Sequence, residues 1–375
     1  METVHKTILR SAADLAVLES ESIDLVVTSP PYPMIEMWDR VFGQQDERID
    51  RSIQDGDGSR AFELMHQLLD AVWRECYRVL KPGAFACINI GDATRKIADG
   101  FRLYTNHSRV TSFCESLGFQ SLPAILWRKQ TNAPNKFMGS GMLPSGAYVT
   151  LEHEYIRILR KGGKRSFTNP EADRRKRSAF FWEERNVWFS DLWDFKGIGQ
   201  ELGDSATRKR SAAFPFELAF RLINMYSMQE DTVLDPFLGT GTTMLAAMAS
   251  ARNSIGVEID GVLATVIEHK VQEFSQLVNQ RQLQRLNDHA CFVREYRQRR
   301  ERDPGYLNVP HGFPVVTRQE IHLSIPMAVK ILKAGPTEFS VHHQQMDSHA
   351  VSSVKTQGFA LEPGRQVQLG LGLMD

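Results

Sequence analysis

The chain, 375 residues long, is expected to fold as an α/β protein around a parallel, doubly wound sheet. Two stretches carry that expectation. From "FPFELAFRLINMYS" onward, helical and strand patterns alternate. "DTVLD" is a short apolar strand, "GTTMLAAMAS" a helix, "NSIGVEI" a strand and residues 262–274 a helix, the order that builds parallel strands with crossover helices. Near the amino terminus, "IDLVV" (residues 23–27) is apolar without alternation, as in a parallel strand covered on both faces. The length allows one large domain with additions or two domains. Hydrophobic residues are 42% and charged ones 24%, so a sizeable core can form.

The remaining elements follow in order. The opening "METVHKTILRSAADLAVL" lacks the apolar segment and cleavage site of a secretion signal. No run of about 18 apolar residues occurs anywhere, so a cytoplasmic protein with no membrane partner is expected. Residues 36–60 are polar, acidic and glycine-containing, and read as a loop. Phe62, Met65, Leu69, Val72, Cys76 and Val79 recur at three- and four-residue spacing, one helix face, which Lys81-Pro82-Gly83 should stop. "AFACINI" is a strand. Val110, Phe113, Cys114 and Leu117 mark a second helix, ended by Gly118. "LPAILWRK" and "EHEYIRILRK" are strands close enough in the chain to be antiparallel neighbours at a sheet edge. Residues 162–203 change character, being basic and aromatic with little periodicity. Past Pro304 the pattern is mixed: prolines around "NVPHGFP", a strand at "TRQEIHLSI", then a polar tail whose His342, His343 and His349 suggest no metal site. Cys76, Cys87, Cys114 and Cys291 show no CxxC spacing and read as reduced thiols.

Basic and acidic residues balance at 45 each, which argues against a general polyanion binder. The distribution is uneven. Arg157, Arg160, Lys161, Lys164, Arg165, Arg174, Arg175, Lys176 and Arg177 gather in one stretch, with further clusters at Arg208, Lys209, Arg210 and across residues 294–302. Acid gathers in "QQDERIDRSIQDGDG". A local basic patch is the reading this favours.

"DTVLDPFLGTGTT" places Asp235 at a strand end and Gly239 and Gly241 in the turn before a helix. Two glycines let the backbone turn tightly and approach a ligand, and the helix start offers free N–H groups. Further on, Glu258 ends a second strand, where an acid can accept from both hydroxyls of a ribose. The third glycine of a dinucleotide fingerprint is absent, its place taken by Met244, and there is no GK[ST]. An acid just before the glycines suits a ligand with a cationic end. S-adenosylmethionine, an adenosine carrying an ammonium and a sulfonium, fits that description.

"VVTSPPYPM" poses a different question: what ends a buried strand on consecutive prolines and an aromatic? Pro30 and Pro31 fix φ and remove two N–H donors, leaving carbonyls free to accept. Ser29 adds a hydroxyl and Tyr32 a flat π face. The set suits a planar group bearing an NH₂, and strand ends of this kind border the ligand crevice of an open α/β sheet.

Together "TSPPY" and "DPFLGTGTT" resemble the amino-group DNA methyltransferases, which methylate an exocyclic nitrogen of cytosine or adenine. "RVLKPGAFACINIGD", "ILWRKQTNAPN" and "SAAFPFELAFRLI" are similar to the family's other segments. The catalytic motif precedes the cofactor motif, the order of the β group. The resemblance covers residues 14–275. It implies a Rossmann-like, seven-stranded, mostly parallel sheet with helices on both faces, an inserted target-recognition region and a C-terminal extension. The strands ending at Ser29 and Asp235 should be neighbours facing one cleft. The implied division is a catalytic half at 1–160, a target-recognition segment at 161–210, an S-adenosylmethionine-binding half at 211–300 and an extension of unassigned role at 301–375.

The family pattern implies catalytic roles for Ser29, Pro30, Pro31 and Tyr32. It implies cofactor roles for Asp235, Phe237, Gly239, Gly241, Thr242 and Glu258, with Phe214 and Pro215 opening the helix that covers the cofactor. Asp260 reads as a helix cap. Double-stranded DNA is the implied partner, held by Lys161, Lys164, Arg165, Arg174, Arg175, Lys176, Arg177, Arg208 and Lys209 through phosphates or, for the arginines, guanine. A restriction endonuclease acting on the same site is a further expected partner. The aromatics of the basic segment read as core. The acidic segment should be repelled by DNA and act as a mobile flap. Serine at position 29 favours cytosine N4 over adenine N6 as the target. No Pro-Cys occurs, so cytosine C5 chemistry is set aside. The competing readings are an adenine-N6 enzyme, a catalytically silent nucleotide- or DNA-binding regulator, and an RNA or protein methyltransferase.

Overall fold

A computed structural model of the chain describes residues 1–98, 100–129, 138–196, 214–275 and 277–345. Its strands are, in chain order, β1 (Glu2–Leu9), β2 (Ile23–Thr28), β3 (Leu80–Ile90), β4 (Ala93–Ile97), β5 (Gly100–Tyr104), β6 (Phe119–Arg128), β7 (Met138–Gly139) and β8 (Ala147–Tyr148). They continue as β9 (His153–Lys161), β10 (Leu192–Asp194), β11 (Thr232–Asp235), β12 (Asn253–Glu258), β13 (Tyr306–Leu307), β14 (Pro314–Val315), β15 (Pro326–Gly335) and β16 (Glu338–Gln345). The α-helices are α1 (Asp39–Gly43), α2 (Glu47–Gln54), α3 (Gly58–Val79), α4 (Asn106–Ser116) and α5 (Asn169–Arg177). After them come α6 (Trp182–Trp188), α7 (Phe216–Tyr226), α8 (Thr242–Ala249), α9 (Leu263–Phe274) and α10 (Gln280–Arg300).

Ten strands form one sheet, in the order β10-β6-β9-β3-β2-β11-β12-β1-β16-β15. The run from β6 to β1 is the expected seven-stranded, mostly parallel core, with β9 antiparallel to both its neighbours. β10 adds one strand beyond β6, in parallel, and the β15–β16 hairpin adds two beyond β1. β2 is buried along its whole length. Its Leu25 and Val27 join the apolar layer under α7, α8 and α9, and its Val26 joins the layer under α2, α3 and α4. Both faces are therefore covered, the condition under which a strand needs no alternation. Gly83, expected to stop α3, lies inside β3 at φ +80°, where a Cβ would come within 2.5 Å of the Arg165 backbone nitrogen.

Three local expectations are corrected, and one strand is added. Residues 36–60 are helical rather than a loop. Asp46 caps α2, its carboxylate accepting from Arg48 N–H at 3.0 Å, and Phe42 and Ile49 are fully buried. Two apolar anchors sufficed where the surrounding charge hid the period. The amino terminus is a strand: β1 buries Thr3, His5 and Thr7, so its inward face carries no apolar signal. "TRQEIHLSI" is not a strand. A 3-10 turn, Arg318–Glu320, opens it, with Glu320 accepting from Thr317 N–H and hydroxyl at 2.7 Å. The polar tail contains the β15–β16 hairpin, in which Phe339, Val341 and His343 are buried. His349 lies outside the described residues. Cys76, Cys87 and Cys114 are buried free thiols and Cys291 is exposed. Among the described residues, no helix is long and apolar enough to cross a membrane.

Candidate active site

A cleft opens at the carboxyl ends of β1, β2, β11 and β12, where an α/β sheet of this kind places its ligands. β2 and β11 are hydrogen-bonded parallel neighbours, with Val26 opposite Leu234. The segments that follow them therefore leave the sheet side by side. They are also tied directly, the Thr28 hydroxyl donating to Asp235 Oδ1 at 2.6 Å. Ser29, Pro30, Pro31, Tyr32, Phe214, Asp235, Phe237, Gly239, Thr242 and Glu258 all line this cleft. Gly241 and Pro215 support it from the helix starts, each as the residue preceding α8 or α7.

The turn after β11 uses both glycines at positive φ, +55° for Gly239 and +91° for Gly241. Space beside Gly239 is open, its nearest neighbour to a built Cβ being the Phe237 carbonyl at 3.9 Å. Glu258 holds the turn from the next strand. One carboxylate oxygen accepts from Gly239 N–H at 2.8 Å and the other from Asp260 N–H at 2.9 Å. Each oxygen keeps a lone pair for a hydroxyl from the cleft. Asp260 in turn accepts from Val262 N–H at 3.0 Å, a capping contact, and it lines the cleft as well. Asp235 accepts from Thr28, from Phe237 N–H at 3.0 Å and from the Thr243 hydroxyl at 2.6 Å. Burial nonetheless outweighs these three donors and pushes its carboxyl up to about 6. Burial also raises Glu258. Phe237 packs edge-on against Trp73 at 5.9 Å.

The proline rim is braced from below. The Tyr32 hydroxyl lies 2.9 Å from Ser29 Oγ, donates to Glu154 Oε2 at 2.9 Å and accepts from Asn89 Nδ2 at 2.8 Å. Asn89 also donates to Glu154 Oε2 at 2.6 Å, and Lys129 forms an ion pair with the other carboxylate oxygen. Burial and the adjacent Glu154 charge raise the Tyr32 phenol well above its ordinary range. Asn106 donates to the Pro33 carbonyl at 3.0 Å and the Gly91 carbonyl at 2.9 Å, and His66 holds Asn106 at 3.0 Å. The rim is therefore fixed by side chains drawn from β3, α3, α4 and β9.

The profile of the N6/N4 DNA methylases matches residues 23–268, a span that contains both the proline rim and the glycine turn. The chain belongs to the N6/N4 DNA methylase family. Among its relatives, the Type II methyltransferase M.MthZI of Methanothermobacter thermautotrophicus is 51% identical over 344 residues, covering 90% of this chain and 95% of that one. The Type II methyltransferase M.MjaI of Methanocaldococcus jannaschii is 49% identical over 280 residues, covering 72% and 91%. The crystal structure of TTHA0409, a DNA modification methylase of Thermus thermophilus complexed with S-adenosyl-L-methionine, superposes with a TM-score of 0.54. It is 33% identical and covers 71% of this chain and 94% of that one.

The basic residues between Lys161 and Arg177 of this DNA methylase do not stand beside the cleft. Arg165 pairs with Asp231 at 3.0 Å and Asp24 at 3.3 Å, and Arg174 with Asp231 at 3.2 Å. Asp24 is near the start of β2 and Asp231 just precedes β11, the ends opposite the cleft and about 16 Å from it at a strand's rise per residue. Lys161 donates to the Leu80 carbonyl at 2.8 Å, at the start of β3. Lys176 pairs with Asp173, Arg177 with Glu230, and Arg175 lies over the Phe167 ring. Lys161, Lys164, Arg165, Arg174, Arg175, Lys176 and Arg177, expected to hold DNA, thus sit on or beside a structural brace at the far end of the sheet from the cleft. Arg208 and Lys209 lie outside the described residues. Phe181, Trp188 and Trp193 are core residues as expected, but Trp182, also expected in the core, is exposed, as is Phe189.

Sequence reasoning missed several walls of the methylase cleft. Arg10, Ser11, Ala12 and Ala13 follow β1 into it, and Trp38, Val41, Phe42 and Gln45 bring in α1. Of the acidic segment only Gln45 lines the cleft, and the rest is packed through the fully buried Ile49 of α2 rather than a loose flap. Glu154 left a readable signal: it shares the inward face of β9 with Ile156 and Ile158, a carboxylate at an otherwise apolar position. Asn89 and Lys129 left none.

Proposed function

We propose that this DNA methylase transfers the methyl group of S-adenosyl-L-methionine to the exocyclic N4 amino group of a cytosine extruded from duplex DNA at a defined site. The observation that carries the reading is the junction of the two motifs: the glycine turn and the proline rim open onto one cleft, linked by the Thr28–Asp235 hydrogen bond. The cleft suits the donor. Both Glu258 oxygens retain lone pairs for ribose hydroxyls, Gly239 leaves the backbone open to close approach, Phe237 and Leu263 offer apolar walls, and Asp235 supplies a carboxylate for a cation. The bound donor supplies an electrophilic methyl group on a positively charged sulfur.

The rim residues do the rest. Extruding a base costs a few kcal/mol, and stacking on the Tyr32 ring offsets roughly 1–3 kcal/mol of it. Ser29 Oγ and the Pro30 carbonyl accept from the amino protons. This favours a pyramidal nitrogen and stabilises the positive charge that develops there. Fixing the rim through Asn106, Asn89 and Glu154 holds that nitrogen in a reactive position, which is the larger part of the protein's contribution. Serine at position 29 is the feature that favours cytosine N4.

We further propose that the enzyme is the modification partner of a restriction endonuclease with the same recognition site and works in the cytoplasm. Its relatives' Type II designation supports this pairing. Expression in a methylation-free host, followed by nucleoside analysis and single-molecule mapping, tests the reading. The expected product is N4-methylcytosine in one short motif, with Tyr32→Ala abolishing it. N6-methyladenine in its place would overturn the cytosine assignment, and an absence of methyl transfer to DNA would overturn the enzymatic one.

A further inference from the structure

We infer that Glu154 is the end of a proton relay running from the target amino group through the Ser29 and Tyr32 hydroxyls. The inference rests on the proline rim being the base site, and it holds for either base. N-methylation releases one proton, and the rim is built to take it.

Hydrogen-bond directions establish the route. An ionised carboxylate only accepts, so the single Tyr32 hydroxyl proton points to Glu154 Oε2 at 2.9 Å. Asn89 places its two amide hydrogens on Tyr32 Oη and Glu154 Oε2. Turned the other way, it would set its oxygen against the carboxylate. With the Tyr32 proton committed, Ser29 is the donor across the 2.9 Å contact. Its lone pairs then remain for the amino protons of a base. Lys129 pairs with the second Glu154 oxygen and holds the anion in place. Glu154 is 7% exposed, on a strand face otherwise apolar. A buried carboxylate in such a position is costly to maintain, and the partners that hold it, Tyr32, Asn89 and Lys129, all gather at the rim. Gly91 closes the back of the site: a Cβ there would lie 2.9 Å from the Tyr32 ring and 3.2 Å from Glu154 Cγ.

The step balances. The amino nitrogen bonds to the methyl carbon as the carbon–sulfur bond breaks and its electron pair remains on sulfur. The nitrogen, now cationic, gives its proton to Ser29 Oγ. The Ser29 proton moves to Tyr32 Oη and the Tyr32 proton to Glu154 Oε2. A neutral methylated amine, a neutral thioether and a neutral carboxylic acid result, and the acid returns its proton to water as product leaves.

The test is single-turnover methylation of a target duplex in H₂O and D₂O. Donor binding is followed in parallel by calorimetry, and base extrusion by 2-aminopurine fluorescence. Glu154→Gln and Tyr32→Phe, which keeps the stacking ring, should each slow methylation by about a hundredfold, the scale of a lost acid–base group. The wild type should show a solvent isotope effect that each variant removes while leaving donor binding and extrusion intact, and Glu154→Asp should recover part of the rate. Wild-type turnover in either variant, or a loss that merely tracks weakened donor or base binding, overturns the relay. A wild-type protein that extrudes no base sinks the underlying reading of the rim, and the relay with it.

Discussion

Asp235 shows how one carboxylate links folding, cofactor and pH. Its folded value of about 6 lies above the ordinary 3.8 because burial disfavours the charge. The folded state therefore holds this proton longer than the unfolded chain does. In the absence of donor, the group contributes stability that is fully present below 3.8 and is lost as pH rises through about 6. A donor cation favours the charged form, so proton and donor compete for the same site. Donor affinity should fall as pH drops below about 6, and calorimetry across that range would detect it. Asp235→Asn should bind donor more weakly with a flatter pH profile, and should be more stable than the wild type at pH above 6 in urea titrations without donor. A pH-independent affinity in the wild type would contradict the placement of Asp235 against a cation. This carboxylate and the two glycines beside it were legible in the sequence because turn chemistry is local. Asn89 was not, and Glu154 showed only as a carboxylate at an apolar position, because their partner Tyr32 is distant in the chain and only the sheet brings the three together.

The helix α5 and the loop before it teach the reverse lesson. A run of arginines reads as a polyanion grip when charge is counted along the chain. In the fold, Arg165 and Arg174 neutralise Asp231, whose side chain is fully buried, and Arg165 also reaches Asp24. Arg165→Ala should therefore destabilise the fold, by less than the about 3–5 kcal/mol of a buried carboxylate left wholly unpaired, because Arg174 still reaches Asp231 and Lys81 still reaches Asp24. It should leave the salt dependence of DNA binding unchanged, whereas a lost phosphate contact would reduce that slope by about one. Chemical denaturation and a salt titration of binding separate the two. The helix α1 was missed for a related reason: it spans only Asp39–Gly43, too short a window for a period to emerge. Long helices such as α3 were read correctly, since many repeats of one apolar face average out local charge.

The sheet as a whole should be sensitive to acid where β1 joins β12 and β16. β1, β12 and β16 meet through His5, Thr3, Ser254 and His343, joined by hydrogen bonds of 2.9–3.0 Å. Burial lowers His5 to about 3 and His343 to about 4. The unfolded histidines take up protons near 6.5, so stability is lost as pH falls below that value toward the folded ones. The urea midpoint should drop as pH falls from about 7 to about 5, and His343→Gln should shrink the drop. A midpoint that holds steady across that range would refute the neutral buried pair.

What the sequence alone determined was the α/β class, the central strands β2, β11 and β12 and the positions of the proline rim and glycine turn at their ends, because apolar runs and turn residues act within a few positions. Only the tertiary structure decided the outer strands β1, β10, β15 and β16, the support beneath Tyr32 and the use of the arginines. Each of those depends on which polar group meets which across the sheet, and a buried polar contact leaves no periodic trace in either strand that makes it.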